Sequence, residues 1–429
     1  MPFFTSSRRT FLRSTLITGT AAAVTPALSA ARDVTSTKRG AQTAALAPWA
    51  IKPFELEEIT ITELQDGMKS GRFTARLLVE LYSARIDEID KHGPAVNAII
   101  EMNPDAPSIA DGLDAERKAK GPRGPLHGIP VLIKDNFDTA DRMMTTAGSL
   151  ALVGSKPAKD SFVAQKLRAA GAVILGKTNL SEWANIRSSH SISGWSGRGG
   201  LTKNPYALDR NACGSSSGTG AGISANLAAV GIGTETDGSI VCPSSSNGLA
   251  GIKPTVGLVS RSGIIPISHS QDGAGPMCRT LRDAAILLSA STGVDAEDAA
   301  TAASTGKAHL DYSQFCDPHG LKGARIGVAR KYFGFNDAVD ALMHDALDRM
   351  KQQGATLIDP ADIPTFGKFD DSELLVFLYE LKADLNAYLA RLGSSAPVHS
   401  LQEIIDFNER NRQKEMPYFG QDMFLKAQA

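Results

Sequence analysis

Neither an excess of charge nor a long apolar segment marks this 429-residue sequence. Lysine plus arginine (45) nearly balances aspartate plus glutamate (46), so the formal net charge is −1. This balance excludes the broad basic surface that nucleic acids and anionic membranes attract, and we expect no nucleic-acid partner. No segment reaches the roughly 18 consecutive apolar residues of a membrane span. We therefore expect a soluble globular protein without stable membrane insertion.

The first residues resemble an export signal. Residues 7–13, Ser-Arg-Arg-Thr-Phe-Leu-Arg, fit the twin-arginine pattern, and a weakly apolar run over 16–24 and several small residues follow. We expect a signal peptide over 1–31 that engages the twin-arginine export machinery, which predicts a periplasmic or secreted protein. A disordered basic tail is the alternative. Residues 32–53 are polar and are expected to form a flexible leader to a folded domain over 54–429.

Cysteine is scarce. Cys213, Cys242, Cys278 and Cys316 form no CxxC pair and have no histidine nearby at zinc-ligand spacing. We therefore expect no metal site. Twin-arginine substrates fold before export, so disulfides are not required, and free cysteine buries readily. The sequence thus predicts small buried cysteines.

Helical and strand-like segments alternate along the chain. Apolar spacing predicts a helix over 74–86 with Thr74 as its N-cap. A strand is expected to end at Lys134, because an apolar run stops there. The other predicted helices cover 162–170, 220–229, 337–352, 372–391 and 400–413, and the other strands 172–175, 230–232 and 325–329. Repeated alternation of helix and strand predicts an α/β fold with a largely buried sheet.

The most informative stretch is 213–255, which holds two serine-bearing glycine turns, GSSSG at 214–218 and TDGSI at 236–240. Glycine permits backbone conformations with positive φ, so such turns can direct several N–H groups at one point, as an oxyanion requires. Upstream, Lys134 closes the apolar run of its strand. A lysine removed from water loses stability as a cation and becomes a candidate base.

These pieces together resemble the amidase signature family of serine hydrolases, and most closely its bacterial peptide amidases. The runs that carry the resemblance are GKTNLSEWAN at 176–185, the stretch 213–255, and GLVSRSGIIPISHSQDGAGPM at 257–277. The resemblance covers roughly 55–425. It implies the amidase-signature fold, a mixed twisted central sheet covered by helices on both faces.

The resemblance also implies a Ser-Ser-Lys triad. It assigns Ser239 as the nucleophile, Lys134 as the base and Ser215 as the proton relay, with a cis peptide bond at the relay serine. An exposed lysine has a pKa of ~10.4, so Lys134 must be buried to act near neutral pH. The expected oxyanion-hole residues are Thr236, Asp237, Gly238 and Ser239.

Other polar and aromatic residues near these motifs have less specific roles. We interpret Asp135 and Asp237 as structural hydrogen-bonding groups. Trp183 is a candidate substrate-binding residue that could line the acyl pocket, and a core aromatic is the alternative.

The predicted function is hydrolysis of linear amide C–N bonds through an acyl-enzyme, without a metal or organic cofactor. By resemblance, the preferred substrate is a peptide whose C-terminal carboxamide is converted to the free acid and ammonia. Other aliphatic, fatty, aromatic or lactam amides are alternatives, because motifs do not define the walls of a cleft.

Two motif matches suggest other functions. Residues 171–178 fit the phosphate-loop pattern, but the intervening residues are strand-like where a phosphate loop must turn. Residues 214–218 also fit the G-x-S-x-G elbow of α/β-hydrolases, which would make Ser216 an esterase nucleophile. That elbow needs a preceding strand, whereas residues 204–211 are polar and turn-like. It also needs a downstream histidine, for which the candidates are His269, His309, His319, His344 and His399.

The C-terminal end leaves a further alternative open. The sequence stops at 424–429 within a helical pattern, whereas amidase signature proteins usually continue with further strands and one wall of the cleft. We expect the C-terminal part of the domain to be missing, which would allow an inactive amide-binding protein. Membership of a glutamine-tRNA amidotransferase complex is another alternative, although the export signal argues against it.

Overall fold

The computed structural model describes residues 50–393 and 396–429. The predicted signal peptide and nearly all of the predicted leader lie outside these residues. None of the described helices combines the length and the apolar composition needed to cross a membrane.

A six-stranded mixed sheet forms the centre of the fold. Its strands in chain order are β1 (Ile99–Met102), β2 (Pro130–Lys134), β3 (Val173–Thr178), β4 (Val230–Glu235), β5 (Ala250–Gly251) and β6 (Gly273–Cys278). Across the sheet the order is β1-β3-β2-β4-β6-β5. Strand β2 runs parallel to β3 and β4, and the outer pairings are antiparallel. This confirms the predicted mixed α/β sheet.

Helices cover both faces of this sheet. Every residue of β2, β3, β4 and β6 is buried. Because successive strand residues point to opposite faces, both faces must be covered. The helices are α1 (Ile61–Lys69), α2 (Ala75–Ile86), α3 (Ala106–Lys120), α4 (Phe162–Ala169), α5 (Ser217–Ser224), α6 (Val241–Ser246), α7 (Leu281–Ser291), α8 (Asp337–Gln352), α9 (Asp370–Arg391), α10 (Leu401–Arg410), α11 (Arg412–Glu415) and α12 (Asp422–Gln428).

Most element boundaries follow the sequence pattern, with one clear difference. Helix α2 starts after Thr74, whose side chain caps it as predicted. The helix predicted over 220–229 starts earlier and ends sooner. Asn226 takes the left-handed conformation with φ of 59°, and Leu227 N–H donates to Gly222 O at 2.9 Å. This is the hydrogen-bond pattern of a Schellman cap, which stops the helix before the predicted end.

Towards the C-terminus, helices α8 and α9 match their predicted ranges closely, and the helix predicted over 400–413 is divided into α10 and α11. A short parallel pair of strands, β7 (Arg325–Gly327) and β8 (Thr356–Ile358), lies outside the central sheet. Apolar residues of α9, α10 and α12 form a second hydrophobic cluster beside the main core. This cluster forms one side of the cavity described below.

The prediction of four small buried cysteines was wrong for three of them, since Cys213 and Cys316 are half-buried and Cys242 is exposed. Cys213 and Cys242 form a disulfide, and their Cα atoms lie 6.1 Å apart, within the range that a disulfide spans. Neither is fully buried, whereas Cys278 is buried as predicted and Cys316 is half-buried. The physical reason is that the two serine turns, far apart in sequence, lie side by side and bring their flanking cysteines together.

Candidate active site

Lys134 ends strand β2, and its side chain is fully buried. Its Nζ lies 2.8 Å from Ser215 Oγ, 2.8 Å from Thr234 Oγ1 and 3.4 Å from Thr234 O. Burial lowers the pKa of Lys134 from 10.5 to about 7, although the negative charges of Asp272 and Glu235 act in the opposite direction. A buried lysine with a pKa near neutrality can accept a proton at ordinary pH.

Thr234 determines how the amine of Lys134 is oriented. A lysine that has lost one of its three protons keeps two N–H donors and gains a lone pair. The carbonyl of Thr234 can only accept a hydrogen bond, and its Oγ1 also accepts one from Asn136 Nδ2 at 2.9 Å. When both N–H groups donate to Thr234, the lone pair faces Ser215 Oγ. This is the orientation that a base for the serine hydroxyl needs.

Neither Thr234 nor Asn136 was singled out in the sequence. Both are polar residues at or just beyond the end of a buried strand, next to residues that the motifs did identify. Their position at the strand ends is the sequence feature that could have identified them, because polar groups at the ends of adjacent parallel strands meet at one edge of the sheet. The pairing of their side chains, 98 positions apart, could not be inferred from either motif alone.

Ser215 lies in the turn that leads into helix α5 and is fully buried. The cis peptide bond implied by the resemblance is present between Gly214 and Ser215. The carbonyl of Ser215 accepts the N–H of Ser181 at 3.1 Å. A Cβ at Gly214 would come 2.2 Å from Ser181 Oγ, so only glycine fits this position without displacing its neighbour.

Ser239 lies in the turn between β4 and α6, with 7% of its surface exposed. The N–H of Ser216 donates to the carbonyl of Ser239 at 3.2 Å, which joins the two serine turns directly. Within residues 50–393 and 396–429, the Ser239 hydroxyl forms no hydrogen bond, including none to Ser215. The structure thus joins Lys134 to Ser215 and places Ser239 on the adjacent turn. Catalytic hydrogen bonds are often loose before substrate binds.

Glu235 shapes the turn that carries Ser239. Its Oε2 accepts the N–H of Ile240 at 2.6 Å and that of Val241 at 2.9 Å, which draws the start of α6 back onto the end of β4. The backbone N–H groups of 236–239 have no hydrogen-bond acceptor in the described part of the chain. They are therefore free to bind an oxyanion, in line with the predicted role of these residues.

The two aspartates near the motifs occupy different environments. Asp135 is fully buried, and its Oδ2 accepts the N–H of Gly148 at 3.3 Å and contacts Thr146 and Arg198. This is the structural role that we predicted. Asp237 is exposed at the tip of its turn.

Asp272 supports the same turn as Asp237, although the sequence did not identify it. It accepts the hydroxyl of Thr236 at 2.5 Å and the N–H groups of Ile267 and Ser268 at 2.8 and 3.0 Å. These bonds tie the predicted oxyanion turn to the segment that follows Ile264.

Trp183 is packed in the second hydrophobic cluster, with 3% of its surface exposed. Its ring meets Phe424 edge-to-face, with ring centroids 5.8 Å apart. Its neighbour Ala184 lines a cavity of about 360 Å³, described below, and Trp183 lines a small void beside Ala184. The structure therefore gives Trp183 the packing of a core aromatic, and direct contact with substrate stays a prediction.

A cavity of about 360 Å³ adjoins Lys134 through Thr234. Thr234 and Thr236 line its inner end, and the apolar run 264–267 lines one wall. Its other end contains charged groups, among them Arg261 and Arg391. A cavity that combines an apolar wall with polar groups able to orient a ligand is a usual form of small-molecule site.

One group of possible metal ligands lies at this cavity. In the described residues, only His269, Glu380 and Asp384 bring histidine or acidic ligand atoms close enough together to share an ion. These groups already pair with one another, since His269 Nδ1 lies 2.9 Å from Asp384 Oδ2 and Nε2 lies 3.3 Å from Glu380 Oε1. These ion pairs hold the loop of His269 against helix α9, and the three side chains form this contact rather than an open coordination site.

The esterase alternative finds little support in the geometry. Ser216 is fully buried, and its hydroxyl donates to Thr234 O at 3.0 Å and accepts from Thr234 N at 3.2 Å. The polar segment before it, expected to be turn-like, pairs as a short hairpin of Lys203–Asn204 with Ala207–Asn211. All five candidate histidines are exposed. The phosphate-loop match is likewise a strand, β3, as its composition predicted.

Comparison with known proteins places the chain in a family. The family model described as Amidase matches residues 78–427. A probable amidase of Arabidopsis thaliana is 45% identical over 384 residues, covering 88% of this chain and 73% of the relative. A component of the glutamyl-tRNA(Gln) amidotransferase of Acinetobacter baumannii is 39% identical over 322 residues, covering 73% of this chain and 63% of the relative.

Solved structures agree with these sequence matches. The native peptide amidase from Stenotrophomonas maltophilia superposes with a TM-score of 0.84 at 48% identity, over 88% of this chain and 76% of that one. An amidase family protein from Bacillus anthracis gives a TM-score of 0.82 at 37% identity, over 87% and 73%. Both likenesses extend over most of the present chain.

Proposed function

The chain belongs to the amidase signature family and is an amidase acting on amide C–N bonds, and we propose that it hydrolyses the C-terminal carboxamide of peptides through Lys134, Ser215 and Ser239. One observation carries this proposal. The fully buried amine of Lys134 lies 2.8 Å from Ser215 Oγ, in the turn that is hydrogen-bonded to the turn of Ser239. A buried base in contact with one serine and adjacent to a second is the arrangement that a two-serine relay requires.

The proposed mechanism begins with attack on the amide carbonyl. Ser239 Oγ forms a bond to the carbonyl carbon as its proton passes to Ser215 Oγ, and the proton of Ser215 passes to neutral Lys134. The carbonyl oxygen becomes an oxyanion that the free N–H groups of 236–239 can bind. Lys134, now protonated, returns a proton through Ser215 to the amide nitrogen, the C–N bond breaks, and ammonia departs.

The resulting acyl-enzyme is an ester of Ser239. Water attacks its carbonyl carbon while its proton follows the same route to Lys134, and the tetrahedral intermediate then releases the acid as Ser239 recovers its proton. Because the amine leaving group is poor, returning a proton to nitrogen is the step that most depends on Lys134. Esters, whose leaving groups need less protonation, should depend on Lys134 less.

One observation favours peptide amides over other amides. The matched solved structure is that of a peptide amidase at 48% identity. Ammonia is a very small leaving group, so the cavity of about 360 Å³ next to Thr234 is available for the acyl part of any primary amide. Other small amides remain the second candidate class.

The first experiment measures ammonia release from a panel of peptide amides, matched free primary amides and a lactam. We expect the highest kcat/KM for peptide amides. Ser239→Ala should abolish turnover with the fold unchanged by circular dichroism, whereas Ser216→Ala should retain activity because its hydroxyl bonds only to the backbone of Thr234. Full activity in Ser239→Ala would refute the nucleophile, and no activity in the wild-type chain would support an amide-binding protein.

We also propose that the chain is exported. The support is the sequence pattern of residues 7–13, with Arg8 and Arg9 at its centre. Replacing both with lysine should leave the protein in the cytoplasmic fraction, whereas the wild-type chain should fractionate outside it. Equal fractionation of the two forms would contradict the proposal.

A further inference from the structure

We infer that Tyr388 limits the length of the acyl group that the amidase accepts, by closing the inner cavity against a second cavity behind it. This inference rests on the proposed function, because it takes the cavity beside Thr234 as the acyl site. Tyr388 lies near the end of helix α9, more than 240 positions from Lys134 in sequence and outside every motif described above.

The two cavities meet at Tyr388. The inner cavity of about 360 Å³ is lined at one end by Thr234 and Thr236. A second cavity of about 420 Å³ extends past Phe162 and Lys159. Tyr388 lines both of them, as do Ser262, Glu297 and Arg391, so its ring forms part of the wall between them.

A hydrogen bond to a buried carboxylate holds this wall in place. Tyr388 has 2% of its surface exposed, and its hydroxyl donates to Asp138 Oδ1 at 2.7 Å. Asp138 lies four positions after Lys134, and its backbone is fixed by Gly263 O at 2.8 Å and by the N–H of Ser161 at 2.9 Å. Rotation of the ring would break the bond to Asp138 and leave a buried carboxylate without this donor, which is costly.

The volume of the inner cavity limits what it can hold. Its volume of about 360 Å³ lies in the range of small-molecule binding sites. This is enough for an acyl part on the order of one or two amino-acid residues. A longer acyl chain that follows the same direction would meet the ring of Tyr388.

The chemistry of the second cavity indicates which longer substrates would gain from its opening. Its lining includes the carboxylates of Asp138, Asp160, Asp295 and Glu297, against the cations of Lys159 and Arg391. Asp160 is paired with Arg168 at 3.0 Å, which leaves three carboxylates against two cations. An excess of carboxylates disfavours an anionic chain end and favours a cationic one. The free amino terminus of a peptide amide has that charge, so longer peptide amides with a free N-terminus are the substrates expected to benefit.

The test compares peptide amides of increasing length in the wild-type chain and four variants. Tyr388→Ala removes the ring from the wall, Tyr388→Leu keeps apolar volume in the helix core in case the alanine variant is unstable, and Tyr388→Phe keeps the ring without the bond to Asp138. Tyr379→Ala is the matched control, since Tyr379 lies on the same helix, nine positions away on the opposite side, and is 75% exposed. Thermal unfolding verifies that each variant is folded.

We expect the wild-type kcat/KM to fall with acyl length. Tyr388→Ala or Tyr388→Leu should raise the ratio of long-substrate to short-substrate kcat/KM at least tenfold. Tyr388→Phe keeps the ring but loses the bond to Asp138 that holds it, so it should raise the ratio less, and Tyr379→Ala should leave it unchanged. The inference is overturned if folded Tyr388→Ala and Tyr388→Leu keep the wild-type ratio, or if Tyr379→Ala changes it as much.

A binding measurement separates this inference from the proposed function. Calorimetric titration of the same peptides into Ser239→Ala, with and without Tyr388→Ala, reports the length dependence of affinity without turnover. One outcome is that no peptide amide is hydrolysed but the affinity for long peptides still rises at least tenfold on removal of Tyr388. That result would contradict the proposed function and support the inference that Tyr388 limits substrate length. If long peptides bind Ser239→Ala equally well with and without Tyr388→Ala, and the wild-type chain still hydrolyses peptide amides, the inference about Tyr388 is contradicted and the proposed function is not.

Discussion

Replacing Lys134 by methionine should change how the stability of the protein depends on pH. Methionine keeps an unbranched side chain of similar length in the buried site but cannot carry a charge. In the folded protein, burial lowers the pKa of Lys134 from 10.5 to about 7. Each pKa unit corresponds to about 1.4 kcal/mol, so the buried charge costs on the order of 5 kcal/mol relative to the unfolded chain.

The sign of the pH dependence follows from proton binding. Between pH 7 and 10.5, the unfolded lysine holds its proton while the folded lysine has lost it, so raising the pH over this window favours the folded state. Below about pH 7, both states are protonated and the full cost is present. The free energy of unfolding of the wild type should therefore rise with pH relative to that of Lys134→Met, by up to roughly 5 kcal/mol.

Urea unfolding of both proteins at pH 6, 8 and 10 measures this difference, because subtraction removes groups that titrate equally in both. Lys69→Met is the control, since Lys69 is exposed on helix α1 and is solvated in both states. Its difference from wild type should not vary over this range. A pH-independent difference for Lys134→Met would refute the idea that the amine loses its proton on folding near neutrality.

Three further perturbations test parts of the site. Glu235→Gln removes a negative charge that raises the pKa of Lys134, so the acidic limb of the kcat/KM profile should move to lower pH; an unmoved or higher limb would contradict this. Thr234→Val removes an acceptor for the amine, and kcat should fall roughly 10- to 100-fold with little change in KM, while Thr234→Ser restores it. Replacing Cys213 and Cys242 by serine opens a disulfide that spans 29 positions, and denaturant unfolding should show a loss of about 3–4 kcal/mol; an unchanged midpoint would exclude a stabilising role.

Local patterns predicted the parts of the site that depend on one segment each. The apolar run before Lys134 predicted a buried strand, because such a run in an α/β protein is covered on both faces. The glycine-rich composition around Ser215 and Ser239 predicted tight turns. The fold and the two turns were therefore accessible from the sequence and from the resemblance that its motifs carry.

The remaining features depend on contacts between distant segments. The disulfide was missed because the proximity of Cys213 and Cys242 is set by the packing of α5 and α6 against the sheet. Tyr388 belongs to a helix whose apolar pattern predicts only that one face is buried, and nothing in that pattern identifies Asp138 as its partner. Side-chain pairs of this kind follow from tertiary packing and not from local periodicity.

The most direct test of the central claim is the pH dependence of covalent labelling at Ser239. A fluorophosphonate probe should modify Ser239, located by peptide mapping, at a rate that rises through about pH 7 as Lys134 loses its proton. Lys134→Met should lose most of this rate, and Ser239→Ala should not be labelled. Labelling of another serine, or a rate at Ser239 that is the same in Lys134→Met as in wild type, would contradict the account.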